Sequence, residues 1–154
     1  MKGKVFSINI SKTKGVAKIP VSEAFLIKDF GFQGDIHAAP GGRQVSLLAI
    51  ESIKCQNECP KVKKTGEALN PGDFAENITT EGLNLTQLEI GDKLNIGTQV
   101  ILEISKIGKE CHKYCAIYYK LGDCIMPREG IFARVLKGGE VTVEDDIGVI
   151  KNAK

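Results

Sequence analysis

Nowhere in these 154 residues does an apolar run outlast the length of a β-strand before a glycine, a proline or a polar cluster interrupts it. The segments so delimited are 4–10, 16–19, 24–27, 44–48, 93–96, 99–107 and 140–143. They are enriched in Val and Ile and separated by punctuation such as Gly91-Asp92, Gly97-Thr98 and Gly138-Gly139-Glu140. Strand-length segments bounded by turn residues predict a β-rich barrel or sandwich. The clearest is 99–107. Strict alternation puts Val100, Leu102, Ile104 and Lys106 on one face, and Ile101, Glu103, Ser105 and Ile107 on the other.

Two segments carry helical spacing instead. Leu48, Ile50 and Ile53 predict a helix over 47–56. Ile131, Val135 and Leu136 predict another over 126–136, with Pro127 in the first turn, where proline is tolerated. Cys111, Cys115 and Tyr119 recur at four-residue steps and predict a further turn or two over 111–119. The expected fold is mainly β with a few short helices, an α+β chain. No internal repeat or linker divides it, so residues 1–154 are expected to form one domain.

Charge and composition narrow the function. The 21 basic and 19 acidic residues leave a net charge of +2 without any long block of one sign, and tryptophan is absent. Neither a nucleic-acid partner nor a membrane surface is expected from such a chain. No apolar stretch approaches the roughly 18 residues of a membrane helix. The first ten residues alternate polar and apolar, as a first strand does and a secretion signal does not. A cytoplasmic protein is expected. Five cysteines in a reducing compartment favour metal binding or sulfur chemistry over a disulfide framework.

The run Gly108-Lys109-Glu110-Cys111-His112 directly follows the strand at 99–107. Thiolate is the form of cysteine that attacks sulfur or binds metal, and adjacent cations lower a thiol's pKa from about 8.5. With Lys109 and His112 beside it, Cys111 is the first candidate for a reactive atom, against the alternative of a buried, inert thiol. The pairs Cys55/Cys59 and Cys111/Cys115 also allow a four-thiolate zinc site, although Cys55 and Cys59, near Pro60, would equally serve as packing. Cys124 is left over.

Three further segments hold polar groups suited to ligands. In Gly34-Asp35-Ile36-His37-Ala38-Ala39-Pro40-Gly41-Gly42-Arg43-Gln44, the glycines permit positive φ or close approach of backbone, and Arg43 supplies a planar two-pronged donor. An oxyanion such as phosphate suits that combination; an ordinary Pro-Gly-Gly loop with a structural His37 is the other reading. Asn77 lies in a segment, 70–83, whose Asp and Asn residues either close turns or present a fixed amide to a ligand. Arg128 near the start of the expected second helix would support an anion at a positive dipole end, with Arg134 an exposed helical cation.

Taken in order, Gly34-Asp35-Ile36-His37 with Gly41-Gly42-Arg43-Gln44-Val45-Ser46, Pro71-Gly72-Asp73-Phe74-Ala75-Glu76-Asn77 through Leu83, Leu88-Glu89-Ile90-Gly91-Asp92, the Cys111 motif, and Arg128-Glu129-Gly130 through Val141 resemble the MOSC domain family. That family takes its name from the C-terminal domain of molybdenum-cofactor sulfurases, and the likeness is to its small stand-alone bacterial members. The resemblance implies a MOSC-like β-barrel with Cys111 as the working cysteine. In the sulfurase branch that residue is thought to pass sulfur as a persulfide beside bound molybdenum cofactor; in amidoxime-reducing relatives it ligates molybdenum.

Applied to this chain, the first role casts Cys111 as the sulfur acceptor with His112 and Lys109 beside it. Arg43, Arg128 and the Gly41-Gly42 backbone would hold the phosphate of a molybdopterin-type cofactor, with His37 and Asn77 as further cofactor contacts and Cys115 or Cys124 as a resolving thiol. The second role makes Cys111 a metal ligand in an oxidoreductase component acting on N-hydroxylated compounds. A third, non-catalytic reading is a zinc-stabilised or protein-binding β domain. No pyridoxal-phosphate site is expected in these residues, so the sulfur donor would be a separate cysteine desulfurase. The acceptor would be a molybdoenzyme or a cofactor-biosynthesis protein. Monomer and homodimer both remain open.

Overall fold

The computed structural model describes residues 2–58, 68–108 and 130–152. They form β1 (Lys2–Ile10), β2 (Ile19–Val21), β3 (Glu23–Ile27), β4 (Gly31–Phe32), β5 (Val45–Ala49), α1 (Ile50–Asn57), β6 (Ile78–Glu81), β7 (Lys93–Ile96), β8 (Val100–Ile107), β9 (Ile131–Lys137), β10 (Gly139–Thr142) and β11 (Asp146–Ile150). A single 3-10 turn, Leu85–Gln87, precedes β7. The architecture is mainly β, as expected. No helix among the described residues is long and apolar enough to cross a membrane.

Seven strands close into a barrel in the order β1, β11, β7, β8, β9, β5, β6 and back to β1, with β2 appended along the far end of β1. All neighbours are antiparallel except β5 and β6. A parallel pair needs a crossover, and the chain between these two strands supplies it, starting with α1. A smaller sheet, β10-β3-β4, flanks the barrel.

Odd positions of β5 and β9 point inward: Val45, Leu47 and Ala49, and Ile131, Ala133 and Val135, join Leu94, Ile96, Leu102, Ile104 and Ile147 in the barrel core. On β1 both Val5 and Ile8 are buried in that core. An odd separation cannot put two residues on one face of a regular strand, and the register shift between Val5 and Ser7 resolves the conflict by a bulge. A barrel of this strand number is filled by its own side chains. Any ligand site therefore lies on the outside.

On the outer face of β5 and β9, Leu48 and Phe132 pack with Ile50, Ile53, Leu69 and Phe74 in a second cluster, under α1. Two expectations fail here. The helix over 47–56 starts only at Ile50, because 47–49 are the end of β5. The helix over 126–136 is contradicted over 131–136, which is strand β9, and Arg134 is an exposed strand cation paired with Glu103 at 2.7 Å. Ile131 and Val135 are spaced alike on a helical face and on one face of a strand, and burial of Phe132 on the opposite face disguised the alternation. The strand expected at 16–19 is displaced to Ile19–Val21.

Beyond β11 the chain is clasped by Asp92. This fully buried carboxylate accepts hydrogen bonds from the amides of Glu89 (2.8 Å) and Asn152 (2.8 Å) and from Lys151 Nζ (2.7 Å). Burial pushes its pKa up, but the Lys151 contact and the two amides outweigh that and hold it down at about 2.

Candidate functional site on the barrel flank

Where β5 and β9 begin, a cavity of about 260 Å³ opens on the outer flank, lined by His37, Arg43, Ser46, Phe74, Ala75, Asn77 and Phe132. Ser46 and Phe132 are paired neighbours on β5 and β9. Arg43 approaches from the loop before β5, its Cζ 5.6 Å from the centroid of the Phe132 ring, a cation–π contact that holds the guanidinium without consuming its donors.

His37 is held from behind. Gly34, at φ +86°, turns the chain after β4, and Asp35 then folds back beneath the loop that follows β1. Asp35 Oδ1 accepts from the Ser11 amide (3.0 Å) and from Lys18 Nζ (2.7 Å), while Oδ2 lies 3.3 Å from the His37 amide. Lys18 Nζ is also 2.9 Å from His37 Nδ1. The Lys18 and Asp35 side chains are each 1% exposed. Burial raises the pKa of Asp35, but the Lys18 hydrogen bond, the Ser11 amide, the Lys18 charge and Asn77 together bring it below its ordinary value. The pair is buried, each side chain facing the other's charge.

Asn77 forms one wall as a strut. Its Oδ1 accepts from the Ser46 amide (3.0 Å), its Nδ2 donates to the Asn9 carbonyl (3.2 Å), and its own amide donates to Ser46 Oγ (3.0 Å). The loop carrying Phe74 and Ala75 is forced into place by two left-handed residues. Gly72 has φ +91° and Ala75 has φ +61°. A Cβ on Gly72 would lie 2.2 Å from the Lys18 carbonyl, so only glycine fits there.

Behind Asn77 lies Glu76, fully buried. Thr79 Oγ1 donates to its Oε2 at 2.9 Å, while Oε1 has no hydrogen-bond partner among the described residues. Burial pushes its pKa up to about 7, although the backbone at Gly72, Glu76 and Phe74 and the Thr79 hydroxyl pull in the other direction.

The site residues expected from sequence divide as follows. His37, Arg43 and Asn77 line one cavity. Gly41 and Gly42 do not; they border a separate shallow depression of about 500 Å³ with Ile90, Lys93, Ser105 and Arg134. Gly41 does adopt a positive φ, +126°, and the Gly42 carbonyl accepts from Ser105 Oγ. Lys109, Cys111, His112, Cys115, Cys124 and Arg128 lie outside the described residues, as does Cys59. Cys55 is an exposed free thiol on α1, so its packing role is ruled out. Lys18 was not singled out in the sequence. Asp35, Ser46, Phe74 and Phe132 stood inside quoted motifs, and only their proximity to His37 and Asn77 in space marks them.

A guanidinium laid on a phenyl ring, an imidazole backed by a buried ion pair and a second aromatic wall make an anion-suited pocket on the flank of a closed β-barrel. A MOSC domain profile matches residues 33–148, and the chain belongs to the MOSC domain family, which is associated with the molybdenum cofactor. Among solved structures it is similar to the YuaD protein from Bacillus subtilis, with 19% identity over 99% of this chain and 98% of that one, at a TM-score of 0.73. It also resembles YiiM from Geobacillus stearothermophilus, with 22% identity over 97% of this chain and 75% of that one, at a TM-score of 0.72. YiiM from Escherichia coli gives 19% identity over 100% of this chain and 72% of that one, with the same TM-score of 0.72. At these identities the likeness is one of fold. No curated protein matches the chain.

Proposed function

We propose that the protein is a sulfur carrier that handles a molybdopterin-type cofactor, with Cys111 as the sulfur-bearing residue. The observation that carries this reading is the flank cavity, which combines the Arg43 guanidinium, the His37 imidazole and the Phe74 and Phe132 rings. Those residues fit part of such a cofactor. Arg43 and His37 suit a phosphate and the two rings a flat heterocycle, and about 260 Å³ is below the roughly 300 to 1,000 Å³ that a whole drug-sized ligand occupies. What the cofactor supplies when bound is a molybdenum centre able to take up sulfur.

Chain order supports the assignment of Cys111. The Gly108 amide donates to the Gly130 carbonyl at 2.8 Å, and Phe132, a wall of the cavity, is two residues past Gly130. Cys111 is three residues past Gly108, a tether no longer than about 11 Å. On this reading the Cys111 thiolate attacks the terminal sulfur of a donor persulfide, forming a new S–S bond while the donor leaves as thiolate. Lys109 and His112 favour the thiolate, and Arg128 adds a second cation for the phosphate. Gly41 and Gly42 shape the loop that delivers Arg43. The donor is a separate cysteine desulfurase and the acceptor a molybdoenzyme or a cofactor-assembly protein.

Incubation with a cysteine desulfurase and cysteine, followed by intact-mass measurement, tests the reading. An adduct of about 32 Da, reversed by thiol and absent from Cys111→Ser, is expected. An adduct that persists in Cys111→Ser overturns the assignment. Stoichiometric molybdenum in anaerobically purified protein, without any adduct, would make Cys111 a metal ligand instead.

A further inference from the structure

We infer that the buried Glu76 carboxyl is a proton switch on the flank cavity. The loop around it holds Phe74 and Ala75 as cavity walls while the acid is neutral and reshapes when it ionises, so an oxyanion binds with uptake of a proton. The ligand half of this inference rests on the cavity's taking an anion, as proposed above. The loop half stands on the geometry around Glu76.

A carboxylate held in the interior needs several donors, and this one has a single fixed one. Thr79 Oγ1 donates to Oε2 at 2.9 Å, and Oε1 accepts nothing among the described residues. Asn9 cannot help, because its Nδ2 is engaged by Thr79 Oγ1 (3.1 Å) and the Glu76 carbonyl (3.1 Å). What remains is backbone. The chain at Gly72, Phe74 and Glu76 faces the carboxyl closely enough to favour its charged form, and those three amides are committed to no backbone carbonyl among the described residues. An ionised Glu76 draws them in. All three lie in the loop that carries Phe74 and Ala75 to the cavity.

The ends of that loop do not yield. The Gly72 carbonyl accepts from the amides of Lys18 (2.8 Å) and Ala75 (2.9 Å), and Asn77 is tied to Ser46 at both its side chain and its amide. Movement therefore falls on Phe74 and on Ala75, already in the left-handed region at φ +61°. Charged groups on the surrounding elements are engaged elsewhere: Lys18 with Asp35 at 2.7 Å, and Asp73 with the Asn70 amide at 2.7 Å. Arg43 and His37 line the cavity itself. The groups that oppose burial of Glu76 are all neutral, and its pKa of about 7 puts the change at neutral pH. The acid is uncharged below that value. Above it, the new negative charge also repels an anion in the cavity, so both effects weaken binding as pH rises.

Sulfate keeps its charge across neutral pH and is the probe. Between about pH 6 and pH 8 its affinity, measured by calorimetry, is expected to fall at least about threefold more in the parent than in Glu76→Gln. Glutamine is permanently neutral there, and both proteins carry the same two histidines. Protection of the Ala75 and Asn77 amides against hydrogen exchange is expected to drop over that range in the parent alone. Infrared spectra of the parent need no variant and decide the matter even if Glu76→Gln fails to fold: a protonated-carboxyl band present at the lower pH should be lost at the higher. Persistence or absence of that band at both values overturns the inference. So does a sulfate affinity or an amide protection that changes equally in the two proteins, and so does a cavity that takes no sulfate at either pH. An intact Cys111 adduct with a loop indifferent to pH sinks this inference alone, while a responsive loop and sulfate site without the adduct sink the sulfur-carrier reading alone.

Discussion

Glu76→Gln is expected to stabilise the protein at alkaline pH and to do little at acid pH. Glu76 is fully buried with Oε1 unpaired among the described residues, and its pKa rises from an ordinary 4.5 to about 7. Because the folded state holds the proton more tightly than the unfolded chain, the stabilisation present below pH 4.5 is lost as pH climbs through about 7. A rise of about 2.5 in pKa corresponds to about 3 kcal/mol between those limits. Glutamine mimics the protonated acid and keeps an oxygen for Thr79, so the variant should match the parent near pH 4 and exceed it by up to about 3 kcal/mol near pH 8. Urea unfolding at both values, with the Cys111 segment unaltered, reads the difference directly. A variant whose stability relative to the parent is the same at both pH values would refute the argument, because the buried carboxyl would then not be titrating across this window.

Asp92→Ala removes the acceptor for the Glu89 and Asn152 amides and for Lys151, and is expected to cost about 2 to 4 kcal/mol in chemical unfolding at neutral pH. With its pKa held at about 2, the parent should lose that contribution only as pH falls from about 4 towards 2, a limb absent from the variant. Phe132→Ala opens the cluster under α1 and is expected to cost about 3 to 5 kcal/mol while also weakening phosphate binding through loss of the Arg43 platform. Phe132→Leu should recover most of the stability but not the affinity; equal recovery of both would deny the ring any part in holding Arg43.

The barrel was legible wherever one strand face meets solvent. β8 and β7 show clean alternation, and the expected segments 93–96 and 99–107 coincide with them to within a residue. It was hidden where both faces are covered. β9 buries Ile131 and Ala133 inside and Phe132 outside, so its spacing imitates a helix. β6 was read as turn because Ile78-Thr79-Thr80 follows a run of turn-forming residues, and its pairing with β1 and β5 is wholly non-local. At the site, glycine and arginine chemistry brought out Arg43, and His37, six residues earlier in the same quoted segment, lines the same cavity. Lys18 carried no signal. It lies 17 residues from Asp35, in a segment read as strand, and its role depends on a turn that only the folded chain makes.

Closure of the barrel has a consequence for how the protein comes to be folded. The seam is made by β1 and β11, where Lys2 pairs with Gly148, so the first strand synthesised must wait for the last. Until then β1 and β7 each present an open hydrogen-bonding edge beside unburied Val5, Ile8 and Leu94, the kind of surface that recruits other chains. Assembly is therefore expected to be slow for a chain of this length, with loop closure across nearly the whole sequence as its late step. The Asp92 clasp on Lys151 and Asn152 acts just beyond that seam, so one buried carboxylate guards the barrel against reopening from its C-terminal strand.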